Sequence, residues 1–307
     1  MEFDPEQELT AVAQKITAPD YGYREASVRV GAQLLELVDS KYGLGSPRPL
    51  LQHNVNHSLE VTDGVVELIN IIYPFMTHEQ RVGVYDKALI AGPGHDAEQD
   101  LGEEENERAS GLIVEEFLIA SGDELLTLEE FRRGVNEGII ATTAVHVLDE
   151  KTDEVKILQP HVMAESRDPF SWAMAKGDLG GIPMRGLRRL IGDPARLYFD
   201  KAEKPSIDGL CSMLLYQQTF LRSQLQEEQT KEELGFFFDE DSAEVLYQTL
   251  YEKYHDRVIE MYGLAKSFES KLPLIRSKIE LALKGADFAD RALLGKRVIS
   301  VLESILT

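Results

Sequence analysis

The chain has 307 residues, and 32 Lys and Arg against 54 Asp and Glu leave a formal net charge of −22 on a composition that is 43% hydrophobic and 28% charged. This describes an acidic globular protein long enough to bury a core without staples. The charge disfavours extended nucleic-acid binding, because no Lys/Arg-rich tract with interleaved aromatics offsets it. One cysteine, Cys211, excludes an internal disulfide and a Cys-rich zinc site and fits a reducing cytosol, so any metal must be held by His and carboxylates.

The N-terminal MEFDPEQELT lacks the basic and apolar regions of a secretory signal, so a cytoplasmic location is expected. Ala26, Val30, Leu34 and Val38 recur at four-residue steps and predict a first core-facing helix. Val61, Val65, Leu68, Ile69 and Ile72 predict a second. The most apolar stretch, Val65 to Met76, carries Glu67, Asn70 and Pro74 and is shorter than a membrane span, so no membrane partner is expected. Strand-like alternation occurs only in VHVLDEKTDEVKIL, from Val145 to Leu158, which can form a small hairpin at its polar turn. Phe170 and Trp172 read as core beside a helix, and Tyr216 to Phe220 as helix core. Val245, Leu246, Leu250, Tyr254, Val258 and Met261 form a later helix behind an Asp241 or Ser242 cap, and Asp287 opens a last one. Breaks are expected at Gly45–Pro49, Gly92–Gly94, Gly177–Pro183 and Lys204–Pro205. The fold class is all-α, with the helices packed as one body.

Three separated pieces carry chemistry. His53 and His57 lie at i and i+4, a spacing that puts both imidazoles on one helical face. An apolar helix then delivers adjacent His95 and Asp96 behind Gly92-Pro93-Gly94. Neighbouring residues cannot share a helical face, so both reach one point only where the backbone turns or ends. Asp178 is a lone carboxylate in an apolar, glycine-rich setting, and a buried carboxylate wants a cation. Two imidazole nitrogens and two carboxylate oxygens would leave positions on a first-row divalent metal for water and a phosphate oxygen. A second metal bridged through Asp96 would add to the effect. The plainer readings are a surface or capping role for the two histidines, a loop hydrogen bond for His95 and Asp96, and a helix N-cap for Asp178.

In this order the residues resemble the HD-domain metal-dependent phosphohydrolases, whose signature is His, then His-Asp, then Asp, here His57, His95 with Asp96, and Asp178. His53-Asn54-x-x-His57 before a Val-rich helix, and Asn106-Glu107-x-x-Ser110 after His-Asp, are similar to a branch of HD phosphohydrolases with an Asn-Glu-x-x-Ser type segment. The likeness extends distantly to cyclic-nucleotide phosphodiesterases. It spans roughly residues 50–192, and implies an HD helical bundle with an N-terminal helical segment at 1–49 and a C-terminal helical extension at 193–307 packed on the core. It implies one or two divalent ions (Mn, Co, Ni, Fe, Zn or Mg) on His57, His95, Asp96 and Asp178, with His53 as general acid and Glu107 as a second catalytic group orienting water or a ligand histidine. Gln52 stands where the family often has Tyr, and Lys176-Gly177-Asp178-Leu179 replaces the usual Asp-Ala-Asp-Leu.

Substrate contacts are expected from Asn54, His146, Lys176 and Arg185, the last two belonging to a basic cluster with Arg188 and Arg189 in an otherwise base-poor chain. The expected function is hydrolysis of a small phosphoester, a nucleotide foremost. Within it a phosphomonoesterase, a cyclic-nucleotide or cyclic-oligonucleotide phosphodiesterase and a general phosphatase stay open. Outside it stand a non-catalytic nucleotide-sensing module, and a di-iron oxygenase that would need two further His ligands, for which only His146 and His161 are placed. The acidic C-terminal region, including Glu227 to Glu233, is the candidate surface for a homodimer.

Overall fold

A computed structural model describes residues 3–18, 22–102, 105–149, 154–163, 168–179, 187–202, 205–223, 227–284 and 291–306. Among these residues the protein is built of α-helices with one small hairpin. The first eight helices are α1 (Pro5–Ala13), α2 (Glu25–Tyr42), α3 (Val55–Ile72), α4 (His78–Arg81), α5 (Val84–Gly94), α6 (Glu105–Ser121), α7 (Glu129–Ala141) and α8 (Pro169–Leu179). Five follow: α9 (Leu187–Lys201), α10 (Ile207–Ser223), α11 (Glu227–Phe237), α12 (Glu240–Leu283) and α13 (Arg291–Leu306). Between α7 and α8 lie the antiparallel strands β1 (Val145–Asp149) and β2 (Glu154–Leu158), paired Val145 with Leu158 through Asp149 with Glu154. The hairpin is where the alternation placed it. No helix among the described residues is long and apolar enough to cross a membrane.

The helical stripes read from the sequence are the buried faces. Leu34, Leu35 and Val38 of α2, and Val61, Val65, Ile69 and Ile72 of α3, are completely buried. All but Val38, which packs with Tyr42 and Leu50, join Leu89 and Ile90 of α5 and Phe170, Trp172 and Met174 of α8 in one core that also takes in Leu9 of α1 and Leu246 of α12. Helices α1 and α2 of the N-terminal segment therefore pack in the same core as the motif helices. A second core gathers Ala195 and Phe199 of α9, Leu210 and Leu214 of α10, Phe268, Ile275 and Ile279 of α12, and Leu294, Val298 and Leu302 of α13. The boundary expected between residues 192 and 193 falls inside α9, a continuous helix.

Helix α12 joins the two cores. Its 44 residues span about 66 Å at the α-helical rise. Leu246 and Tyr247 near its start pack in the first core, and Phe268 to Leu283 pack in the second. Midway, Met261 and Ala265 receive Leu179 from the end of α8. Its N-cap is Asp239, whose carboxylate accepts from the Ser242 amide and hydroxyl, two residues before the earlier of the expected caps. Asp287, expected to open the last helix, lies outside the described residues.

Gly92-Pro93-Gly94 does not break a helix. All three are the last residues of α5, and α5 ends only at His95. The glycine at 92 serves close packing: a Cβ there would lie 2.4 Å from Thr62 Oγ1 and 2.8 Å from Thr62 Cα on α3. Gly177 does the same for α8, where a Cβ would come 2.5 Å from Val65 Cγ2. Removing two side chains brings α5 and α8 onto the same helix, next to His57.

Candidate metal centre

Each donor arrives by a different local device. Asn54 caps α3, its side-chain oxygen accepting from the Asn56 amide, and so sets His57 in the first turn of that helix. Helix α5 terminates at His95, which frees the chain to turn and aim Asp96 at the same point. Asp168 accepts from the amides of Phe170 and Ser171 at the start of α8, and Asp178 sits in its last turn.

The four side chains converge. His57 Nε2 lies 3.1 Å from Asp178 Oδ1 and 3.5 Å from Asp96 Oδ2. His95 Nε2 lies 3.3 Å from Asp96 Oδ2 and 3.7 Å from Asp178 Oδ1. Donors held about 2.1 Å from a first-row divalent ion stand about 3.0 to 3.5 Å from one another at neighbouring octahedral or tetrahedral positions. The observed separations are close to that spacing. The donor atoms of His57, His95 and Asp178 all lie within 4.8 Å of one another.

The donor set has the chemistry of a metal site as well as its spacing. His95 Nε2 and Asp96 Oδ2 are buried and make no hydrogen bond, which is expensive for polar atoms unless something else takes their lone pairs. The other polar atom of each of these two side chains has a partner. His95 Nδ1 lies 2.8 Å from the Gly92 carbonyl, a contact that requires the proton on Nδ1 and leaves the Nε2 lone pair facing the cluster. Asp96 Oδ1 accepts from the Gln99 side chain at 2.9 Å, which turns Oδ2 toward both imidazoles. Burial pushes the Asp178 carboxyl up, but the His57 hydrogen bond and the neighbouring imidazoles outweigh it and hold the group at about 2.

His53 enters by another route than the expected one. It precedes the Asn54 cap and lies in the loop before α3, so no helical face aligns it with His57. Its ring nevertheless stands edge-on to that of His57, centroids 5.7 Å apart. The loop is held by Asp200 of α9, whose carboxylate accepts the amides of Leu51 at 2.7 Å and Gln52 at 2.8 Å. The same carboxylate lies 3.9 Å from His53 Nδ1. Burial lowers the His53 imidazole below its ordinary range, opposed by the charges of Asp96 and Asp200. Burial raises the Asp200 carboxyl, opposed by the two backbone amides. Asp200 is the site residue that sequence reasoning missed.

Several expected contacts have other partners. The Asn54 side chain is used by the backbone, accepting from Asn56 and donating to the Leu50 and Leu51 carbonyls, so it is a helix cap and not a free substrate donor. Lys176 pairs with buried Glu233 at 2.9 Å, and Glu233 also accepts from the Trp172 indole at 3.1 Å. That ammonium is drawn to α11 and away from the cluster, two residues along the helix from Asp178. Glu107, half-buried in the first turn of α6, is not among the charges that most affect His53 or Asp178. Its neighbours Asn106 and Ser110 hold the acidic loop: Asn106 accepts from the Leu101 and Gly102 amides, and Ser110 from the Glu98 amide. Of His146 only the backbone position is described, in β1 opposite Ile157. Arg185 lies outside the described residues.

Compared with protein-family models, with curated proteins and with solved structures, the chain matches none.

Proposed function

We propose that the protein is a metal-dependent hydrolase of a small phosphoester, with a nucleotide as the leading substrate class. The observation that carries this reading is that two imidazole nitrogens each lie 3.1 to 3.7 Å from two carboxylate oxygens, two of the four atoms being buried without a hydrogen bond. His57, His95, Asp96 and Asp178 would hold a divalent cation. When bound, such an ion supplies Lewis acidity toward a phosphoryl oxygen and lowers the pKa of water toward neutrality.

The remaining residues divide the rest of the work. His53 stands beside the cluster without belonging to the group within 4.8 Å, where an imidazole can hold a proton for the departing ester oxygen. As a water that has given up one proton to solvent bonds through its oxygen to phosphorus and the phosphorus–oxygen ester bond breaks, the His53 proton moves to the leaving oxygen. Burial favours the neutral ring, whereas a bound phosphate dianion favours the imidazolium, so substrate would help charge its own proton donor. Asp200 fixes the loop backbone and supplies a carboxylate near Nδ1 that favours the same charged form. With four protein donors, an ion of five or six ligands keeps positions for water and a phosphate oxygen.

The test is hydrolysis of a generic phosphomonoester and a generic phosphodiester by metal-stripped protein resupplied with Mn, Co, Ni, Zn or Mg, followed by nucleotides of the preferred ester class. Turnover should require metal and fall by more than about 100-fold in Asp178→Ala, at least the size of effect seen when metal-site partners are removed. Metal binding without turnover on any ester would overturn the reading.

A further inference from the structure

The two ligand histidines solve one problem in different ways. A neutral imidazole has a single N–H, so a ring that offers Nε2 to a cation must carry its proton on Nδ1, and a buried Nδ1–H needs an acceptor. For His95 that acceptor is the Gly92 carbonyl. The group facing Nδ1 of His57 is the side-chain amide of Gln52, with Nε2 at 3.5 Å. Gln52 is 9% exposed, and its Oε1 is buried with no hydrogen bond at all.

A half-turn of this amide exchanges its two ends. It would carry the unpartnered oxygen to Nδ1 and convert a nitrogen-to-nitrogen contact into acceptance of the Nδ1 proton. The backbone already fixes where the amide starts, since the Gln52 N–H donates to Asp200 Oδ2 at 2.8 Å and its carbonyl accepts from the Asn54 amide at 2.9 Å. We propose that Gln52 is the positioning residue for His57, its amide oxygen accepting the Nδ1 proton so that Nε2 presents its lone pair to a divalent cation. Glutamine suits the role because either end of its amide can face the ring. The nitrogen serves the tautomer in which Nε2–H donates to Asp178, and the oxygen serves the tautomer that binds metal. This inference rests on the cluster being a metal centre, but not on which ester is cleaved.

The experiment uses the full chain, stripped of metal and titrated with Mn²⁺ and Zn²⁺ by calorimetry. Wild type, Gln52→Leu, Gln52→Glu and Asp178→Ala are compared, with thermal unfolding of each metal-stripped protein as the fold control. Gln52→Leu, which removes the acceptor, should weaken binding by about 10- to 100-fold. Gln52→Glu, which keeps an acceptor, should bind within a few-fold of wild type or more tightly. In the zinc-loaded wild type, imidazole ¹⁵N spectra should show His57 protonated at Nδ1, with that proton slow to exchange with water. Unchanged affinity in Gln52→Leu, or equal loss in Gln52→Glu and Gln52→Leu, would overturn the proposal. If Gln52→Leu does not fold, the glutamate variant and the wild-type spectrum decide, and rapid exchange of the His57 Nδ1 proton overturns it. Wild-type binding that is lost in Asp178→Ala but untouched in Gln52→Leu would remove Gln52 and leave the centre standing. A wild type that binds neither metal overturns both.

Discussion

The two cores contribute to the candidate centre in unlike ways. All four proposed ligands come from α3, from α8 and from the end of α5 with the residue after it, and those three helices pack in the first core. The second core supplies no ligand among the described residues, yet α9 sends Asp200 back to grip the loop that carries His53. Donors that must sit within fractions of an ångström are placed on rigid, mutually packed helices. The group that would exchange a proton is on a loop, and its position depends on a helix far along the chain. On the proposed reading, coordination and proton transfer would fall to different parts of the fold, joined by α12 and by one carboxylate.

Removing that carboxylate is the most direct way to break the division. Asp200→Ala leaves the amides of Leu51 and Gln52 without an acceptor in a part-buried setting, and each lost partner costs about 1 to 3 kcal/mol. A combined loss of about 4 kcal/mol is expected in urea unfolding, along with a fall in turnover larger than the fall in metal affinity. If metal affinity falls as far as turnover, Asp200 supports the ligands too, and the two regions are not separate in function.

Glu233→Ala examines the opposite boundary, where α11 holds the helix that carries Asp178. The change leaves Lys176 and the Trp172 indole without their buried partner, at a cost of about 3 kcal/mol. Chemical denaturation gives that number. Glu233→Gln, which keeps an acceptor for the indole, should lose less.

One substitution made in two places should change sign between the regions. Gly92→Ala forces a methyl against Thr62 Oγ1 and Cα where α5 crosses α3, and should destabilise by about 2 kcal/mol while weakening metal binding. Gly263 of α12 has nothing within 4 Å of an added Cβ. Gly263→Ala should therefore stabilise by up to about 1 kcal/mol through helix propensity alone. Thermal unfolding of the two variants side by side reads both signs, and a destabilised Gly263→Ala would mean that α12 is more constrained there than its surroundings indicate.

How much of this was legible in the sequence depends on how local the cause is. The proposed ligands stood out because rare residue types fell in apolar surroundings: His57 on a hydrophobic stripe, His95 and Asp96 after an apolar helix, Asp178 among glycines. Periodicity of two and of 3.6 was enough for the hairpin and for the buried faces of α2 and α3. Asp200 had no such contrast. It is one of 54 acidic residues, at the end of an amphipathic helix, and its meaning appears only when α9 folds back on residues about 150 earlier. Gly92 was visible but suggested a break, because a glycine beside a proline usually signals one, and only the crossing of α3 with α5 shows a need for close approach. Lys176 was drawn into the substrate set by its neighbours in sequence, whereas its partner Glu233 lies 57 residues away.

Asn54 gives the finest test of the same distinction, since the His-Asn-x-x-His spacing made it a substrate contact and the structure makes it the cap of α3. Its oxygen accepts from the Asn56 amide at 3.0 Å, and its nitrogen donates to the carbonyls of Leu50 and Leu51 at 3.1 and 2.8 Å. Loss of such a cap costs about 1 kcal/mol, and serine retains most of it because a hydroxyl accepts the same amide. Asn54→Ala should accordingly lower stability by about 1 kcal/mol, and Asn54→Ser by a few tenths more than nothing, with the loop carbonyls turning to water. If the side chain is only a cap, KM for the best phosphoester should stay within about two-fold in Asn54→Ser. A KM raised ten-fold in a serine variant of near wild-type stability would correspond to about 1.4 kcal/mol of lost substrate binding. That outcome would return Asn54 to the substrate set, and would place a binding contact on the cap that begins the ligand helix.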